Sequence, residues 1–320
     1  MPIPPEENAG SNAEPTSENG GDVAPAGDAK PKKPRIELGP PVFGKWKHFI
    51  VVIPFIAYLA FSALGGKIES MREAAAIAEA ADPEIVDINY GCPVKKVACK
   101  GAGAGILLDL PKMQEMTAEI VKRVNKPVTV KTRLGWDEST IKIQEVAHRL
   151  QDVGIQALSI HGRTRKQMYK GEANWEPIAE VKNDPGIHIP IFGNGDIDSP
   201  QKALEYRNRY GVDGIMIGRA AIGYPWIFNE IKHFMNTGEL LEAPSLEERV
   251  NVAIQHLDFS VEWKGERKGL FEMRRHYTNS FRGIPNFKPV RTTLVESESY
   301  AEVKETLLAI PEQFEFAVEV

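Results

Sequence analysis

Residues 127–163 read PVTVKTRLGWDESTIKIQEVAHRLQDVGIQALSIHGR. Pro127–Lys131 forms a short β-branched strand, with Val128 and Val130 directed to one side. Ile141–Val153 has the periodicity of a helix, and Gly154 follows as its C-cap. Ala157–His161 is a second strand, so the stretch is one βαβ unit. The alternation continues on both sides. Towards the N-terminus come an alanine-rich helix over Ile68–Ala81, a strand over Ile85–Asn89 and a helix over Lys112–Val124 carried by Met113, Met116, Ile120 and Val124. Towards the C-terminus come helix Trp175–Asn183, strand Ile189–Gly193, helix Pro200–Tyr210 and strand Gly214–Gly218. Repeated βαβ units predict a parallel α/β sheet with strands buried on both faces. Each strand is followed by polar or glycine residues, namely Asn89, Lys131, His161, Asn194 and Arg219. In a (β/α)8 barrel of the TIM type those positions converge on one catalytic face. A doubly wound sheet is the runner-up, but no GxGxxG follows a first strand.

The flanks differ in character. Residues 1–35 are rich in Pro, Glu, Asn, Ser, Gly and Ala and read as a disordered tail. Phe49–Leu64, FIVVIPFIAYLAFSAL, is the most apolar run. Its 16 residues are interrupted by Pro54 and fall short of the roughly 20 that span a bilayer, so buried strands are expected rather than an anchor. After residue 244 the pattern is helical. Ser245-Leu246-Glu247-Glu248 resembles a capping box for a helix to about Trp263, and helices follow over Leu270–Phe281 and Tyr300–Ala309. The expected organisation is a tail over 1–35, a barrel over 36–244 and a helical domain over 245–320.

Composition removes several function classes. With 42% hydrophobic and 26% charged residues, the 320-residue chain is neither fibrous nor wholly disordered. A net charge of −5 excludes a uniformly basic coat. Two cysteines, Cys92 and Cys99, build no disulfide framework and no metal site, which suits a reducing, cytoplasmic compartment.

Against that acidic background, Lys264–Arg291 holds eight Lys/Arg and two Glu, a net of +6, with Tyr277, Phe281 and Phe287 interleaved. This is an RNA footprint in charge terms, with Arg274, Arg275 and Lys288 the candidate phosphate contacts. Lys95, Lys96 and Lys100 flank Cys92 and add a second basic group. Cys92, between Gly91 and Pro93, is expected on a rigid, exposed loop, and Cys99 is expected to be structural. Asn194-Gly195-Asp196 and Gly218-Arg219 follow the last two strands, where small residues and backbone N–H groups receive phosphate in such barrels.

DINYGCPVKKVACKGAGAG at 87–105, VKTRLGW at 130–136, IHGRTR at 160–165, FGNGDI at 192–197, GIMIGRAAIG at 214–223 and MRRHYTNSFRGIPNFK at 273–288 together resemble the tRNA-dihydrouridine synthases. The resemblance implies an FMN-bound barrel, a helical tRNA-binding domain and reduction of the C5–C6 bond of a uridine by NADPH. It implies Cys92 as general acid, FMN contacts from Lys131, His161, Asn194, Gly195, Asp196, Gly218 and Arg219, and substrate contacts from Asn89 and Arg163. Arg35-Ile36-Glu37-Leu38-Gly39 resembles the family's opening, but its Ala-Pro-Met segment is absent and Ser62 stands where the family carries a flavin-binding Gln. The barrel is therefore expected to lack its first one or two βα units. A monomer acting on tRNA, with no membrane and no metal, is the leading expectation. Another FMN barrel acting on a free pyrimidine, and a flavin-free RNA-binding remnant, are the alternatives.

Overall fold

The computed structural model describes residues 67–314. The expectations placed on residues 1–66, including the tail and the Phe49–Leu64 run, lie outside the described residues. In chain order the elements are α1 (Ile68–Glu79), β1 (Val86–Asn89), α2 (Lys95–Ala98), α3 (Leu110–Arg123), β2 (Val128–Arg133), α4 (Ile143–Asp152), β3 (Ala157–His161), α5 (Glu176–Asn183), β4 (Ile191–Asn194), α6 (Pro200–Tyr210) and β5 (Gly214–Met216). Then follow α7 (Ile227–Thr237), α8 (Leu246–Lys264), α9 (Glu266–Ser280), α10 (Lys288–Glu296), α11 (Tyr300–Leu308) and α12 (Ile310–Phe314). Short 3-10 turns cover Gly103–Leu108, Glu138–Thr140 and Arg219–Ala221.

β1 to β5 form one parallel sheet in unbroken sequential order. A doubly wound sheet reverses its order part-way, and this one does not. Right-handed crossovers in a constant direction lay the connecting helices on one face. The strands show it: Val86 and Ile88 of β1 and Val128 and Val130 of β2 are buried, while Asp87, Asn89, Thr129 and Lys131 between them are half-buried. The expectation of strands buried on both faces holds in β3, where Leu158, Ser159, Ile160 and His161 are all buried, but not in β1 or the first four residues of β2, whose alternate side chains are half-buried. The apolar side chains of the sheet share one core with Met113, Met116, Ile120, Val146, Leu150, Ile178 and Val181.

Helix starts follow local chemistry. The Asp109 carboxylate accepts from Lys112 N at 3.1 Å, with Pro111 in the first turn of α3. Ser199 caps α6, again with a proline behind it, and Gly211 ends that helix at φ 65°. Ser245 accepts from Glu248 N at 3.1 Å, but the capping box is not closed, because the Glu248 carboxylate accepts from Trp226 Nε1 at 2.7 Å. A second core joins α8 to α12 through Leu257, Met273, Tyr277, Leu294, Val303 and Leu307. Among the described residues no helix is long and apolar enough to cross a membrane.

Trp175, 1% exposed, lies across β4 at Gly193, where a Cβ would collide with the indole. The ring is edge-on to Tyr206 at 5.1 Å and stacked on Tyr210 at 5.7 Å. Its Nε1 donates to Gly195 O at 3.1 Å, so the same side chain that fills the core also pins the loop after β4. Gly193→Ala is expected to lower unfolding stability by about 1–3 kcal/mol through overpacking, measured by urea denaturation.

Candidate functional site

The parallel register sets the polar strand ends side by side. Asn89 is opposite Lys131, Arg133 opposite His161, His161 opposite Asn194, and Asn194 opposite Met216. They line a cleft of about 1400 Å³ together with Cys92, Arg163, Tyr169, Asp196, Gly218 and Arg219. Arg249, Asn279 and Arg282 of the helical region form its far wall.

Cys92 is on this cleft, but it is buried at 7% exposure, and Cys99 is the exposed cysteine. The expectation of an exposed Cys92 is thus corrected. The loop around Cys92 is rigid, and hydrogen bonds explain why. Gly91 N donates to Asn89 Oδ1 at 2.8 Å, Arg133 Nε donates to Gly91 O at 2.8 Å, and Ala104 N donates to Cys92 O at 3.0 Å. Gly103, at φ 52°, lies against the Cys92 backbone, and a Cβ there would come within 2.8 Å of Cys92 Cβ. Gly103 therefore serves to seat the thiol loop, while Gly105 lets the chain pass close to Ala98 O.

Arg163, expected to contact substrate, is enclosed at the wall of the cleft. It is 2% exposed, its guanidinium meets Asp196 through Nη1–Oδ1 at 2.8 Å and Nη2–Oδ2 at 2.7 Å, and it donates further to the carbonyls of Lys170 and Gly171. Asp196 accepts as well from Arg219 Nη2 at 2.7 Å and from Ala173 N at 2.8 Å. Burial would raise its carboxyl, but the hydrogen bonds and charges of these donors prevail and hold it below the ordinary value. The Asp196 side chain thus anchors two arginines at the wall of the cleft. Arg219 remains 57% exposed beyond that contact, and its guanidinium lies 5.2 Å from the Tyr169 ring centroid. Asn194 donates from Nδ2 to Met216 O at 2.7 Å, tying β4 to β5. Gly195 adopts φ 132°, and Gly218 has open space where a side chain would be.

The cations in the cleft alter one another. Burial and the neighbouring Arg133 lower the Lys131 ammonium to about 8, with Asp87 pulling the other way. Burial is also the main reason His161 falls to about 2, aided by Lys131, Arg133 and Arg163, so the imidazole is neutral at physiological pH. Lys95 and Lys96 are exposed on α2, next to the thiol loop. The three helical-domain candidates do not line the cleft. Arg274 donates to the carbonyls of Glu296 and Ser297, Arg275 reaches His276, and Lys288 opens α10 in solvent. The residues that do face it are Arg249, Asn279 and Arg282, which sequence reading did not single out. Arg133 and Tyr169 were also missed. For Arg133 a signal existed, because it lies two residues beyond Lys131 on a strand whose side chains alternate.

The family model for dihydrouridine synthase (Dus) matches residues 58–315. The chain belongs to the dihydrouridine synthase family. Relatives in that family agree. The probable tRNA-dihydrouridine synthase 1 of Synechocystis sp. is 43% identical over 237 residues, covering 74% of this chain and 66% of the relative. The tRNA-dihydrouridine synthase B of Pseudomonas putida is 43% identical over 212 residues, covering 66% and 62%. That of Pseudomonas aeruginosa is 41% identical over 238 residues, covering 73% and 71%. The chain thus spans just under two thirds of the length of the first two relatives. The strand ends, the thiol loop and the helical region all fall within the residues that the family model matches.

His161 makes stability depend on acidity. Its folded value lies below the unfolded one of about 6.5, so the unfolded chain binds the extra proton and stability is lost as pH falls below that value. A His161→Gln variant should lose less stability than the parent between pH 6.5 and 4. The gap should widen by at most about 1.4 kcal/mol per pH unit, followed by urea unfolding at each pH.

Proposed function

We propose that this chain reduces the C5–C6 double bond of a uridine in tRNA, with FMN as bound cofactor and NADPH as reductant. Support comes first from one observation: a cysteine on the wall of a cationic cleft formed at the ends of parallel strands. Saturating the pyrimidine needs a hydride at C6 and a proton at C5. The Cys92 thiol would give that proton, from a loop tied by hydrogen bonds to Gly91 O and Cys92 O. The residues present suit FMN, since Lys131, Arg133 and Arg219 line one cleft with Gly218 open beside them. When bound, FMN supplies the hydride. Lys131 would set its ammonium at the pyrimidine edge of the ring system, neutral His161 would hydrogen-bond it, and Arg219 with the backbone of Asn194, Gly195 and Gly218 would hold the phosphate.

The helical wall supports a macromolecular substrate over a free pyrimidine, because Arg249, Asn279 and Arg282 extend the cleft past the strand ends. In this reading the chain is a partial (β/α)8 barrel over 36–244, lacking one or two leading βα units, and a tRNA-binding helical domain over 245–320. It works in the cytoplasm as a monomer.

Given FMN, NADPH and unmodified tRNA, the chain should form dihydrouridine, and none formed overturns the reading. Cys92→Ala should lower that rate by about 10²–10⁴-fold, the range for a positioned acid, while FMN binding and its reduction by NADPH persist. Arg282→Ala should flatten the dependence of log affinity for tRNA on log salt by roughly 0.7–0.9, as one phosphate contact is lost.

A further inference from the structure

Arg133 ends β2 and is 2% exposed. A guanidinium so enclosed is costly unless its hydrogens are used, and the way they are used is specific. Nε donates to Gly91 O at 2.8 Å, the carbonyl immediately before Cys92. Nη1 donates to Thr164 O at 3.0 Å and to Met168 O at 2.9 Å, the carbonyls that begin the 164–172 loop and precede Tyr169. The guanidinium carbon lies 5.7 Å from the Tyr169 ring centroid. Met168 is held at φ 53°, a conformation that a residue of its kind adopts only when its surroundings impose it. Tyr169 itself is 53% exposed at the cleft.

We infer that Arg133 is a positioning residue that ties the Cys92 loop to the 164–172 loop, so that the thiol and the Tyr169 ring keep a fixed relation across the cleft. The consequence for chemistry rests on Cys92 being the proton donor proposed above. Lysine cannot replace this arginine, since only a planar fork serves carbonyls in two directions from one strand end. Arg163 is the natural contrast: its hydrogen bonds run to Lys170, Gly171, His161 and Asp196, hence to the second loop alone of these two.

The test compares Arg133→Met and Arg163→Met in the full chain, with near-UV circular dichroism to establish folding. Iodoacetamide labelling of Cys92, read by peptide mass, reports the first loop, and tryptic cleavage after Lys166 or Lys170 reports the second. Arg133→Met should raise both rates at least about tenfold, as expected for a local opening that loses its tie. Arg163→Met should raise cleavage while leaving Cys92 labelling within about twofold of the parent. Cys92 labelling unchanged in Arg133→Met, or raised equally by Arg163→Met, overturns the inference. If Arg133→Met does not fold, Arg133→Lys is read in its place: one readout at least must rise, and parent values in both overturn the inference. In the tRNA assay Arg133→Met should lower kcat about 10²-fold with KM for tRNA within about threefold, and a change in KM alone counts against positioning. Labelling and cleavage need neither flavin nor RNA, so their failure is separate from failure of the reductase reading.

Discussion

The buried ion pair between Arg163 and Asp196 organises the cleft. It joins the residues that follow β3 to those that follow β4, and each partner then reaches further. Arg163 gathers the carbonyls of Lys170 and Gly171, while Asp196 gathers Arg219 and the backbone of Ala173. Removing Asp196 would leave the enclosed Arg163 charge with carbonyl partners only, which is the costlier side of the pair to break. Beyond the strand ends only single backbone bonds continue, such as Gly162 N to Asn194 O at 2.9 Å and Leu134 N to Arg163 O at 3.3 Å, and the ion pair adds to them.

The charge pattern around this pair is unbalanced by design of the register. Lys131, Arg133, Arg163 and Arg219 converge on one cleft, and Asp196 offsets two of them. Burial first, and the neighbouring cations second, lower both His161 and Lys131. A cleft in this state favours an anionic guest, for which mutual repulsion of the cations is relieved on binding.

Attachment of the helical region is equally specific. Gly223, at φ 74°, approaches His276 O too closely for any side chain, and Ser280 Oγ donates to Gly223 O at 2.9 Å. Arg249 completes the joint by donating to Ser280 O at 2.6 Å and Arg282 O at 3.2 Å. Asn279 and Arg282 line the same cleft as the strand ends, beside Arg249.

Order along the chain was enough to read the alternating strands and helices, the parallel sheet and the ring of polar strand ends, since periodicity and β-branching are local properties. Ile227–Thr237 and Lys288–Glu296 escaped that reading. The first has an amphipathic run ending at Gly238 and was legible, whereas the second begins on Lys288-Pro289, where a proline looks like a break but serves as a helix start. Lys131, His161 and Asn194 lie within or at the end of a strand and Cys92 and Arg219 follow one, so position marked them, while resemblance to the family's motifs gave Cys92 and His161 their weight. Their partners were not, because partnership is a matter of distance in space. Nothing in the order of residues reveals that Asp196 spends its oxygens on two arginines, that Arg163 is enclosed, or that Arg274 serves carbonyls while Arg282 faces the cleft. Those outcomes follow from burial, which obliges each enclosed charge to find hydrogen-bond partners among whatever the fold brings within reach.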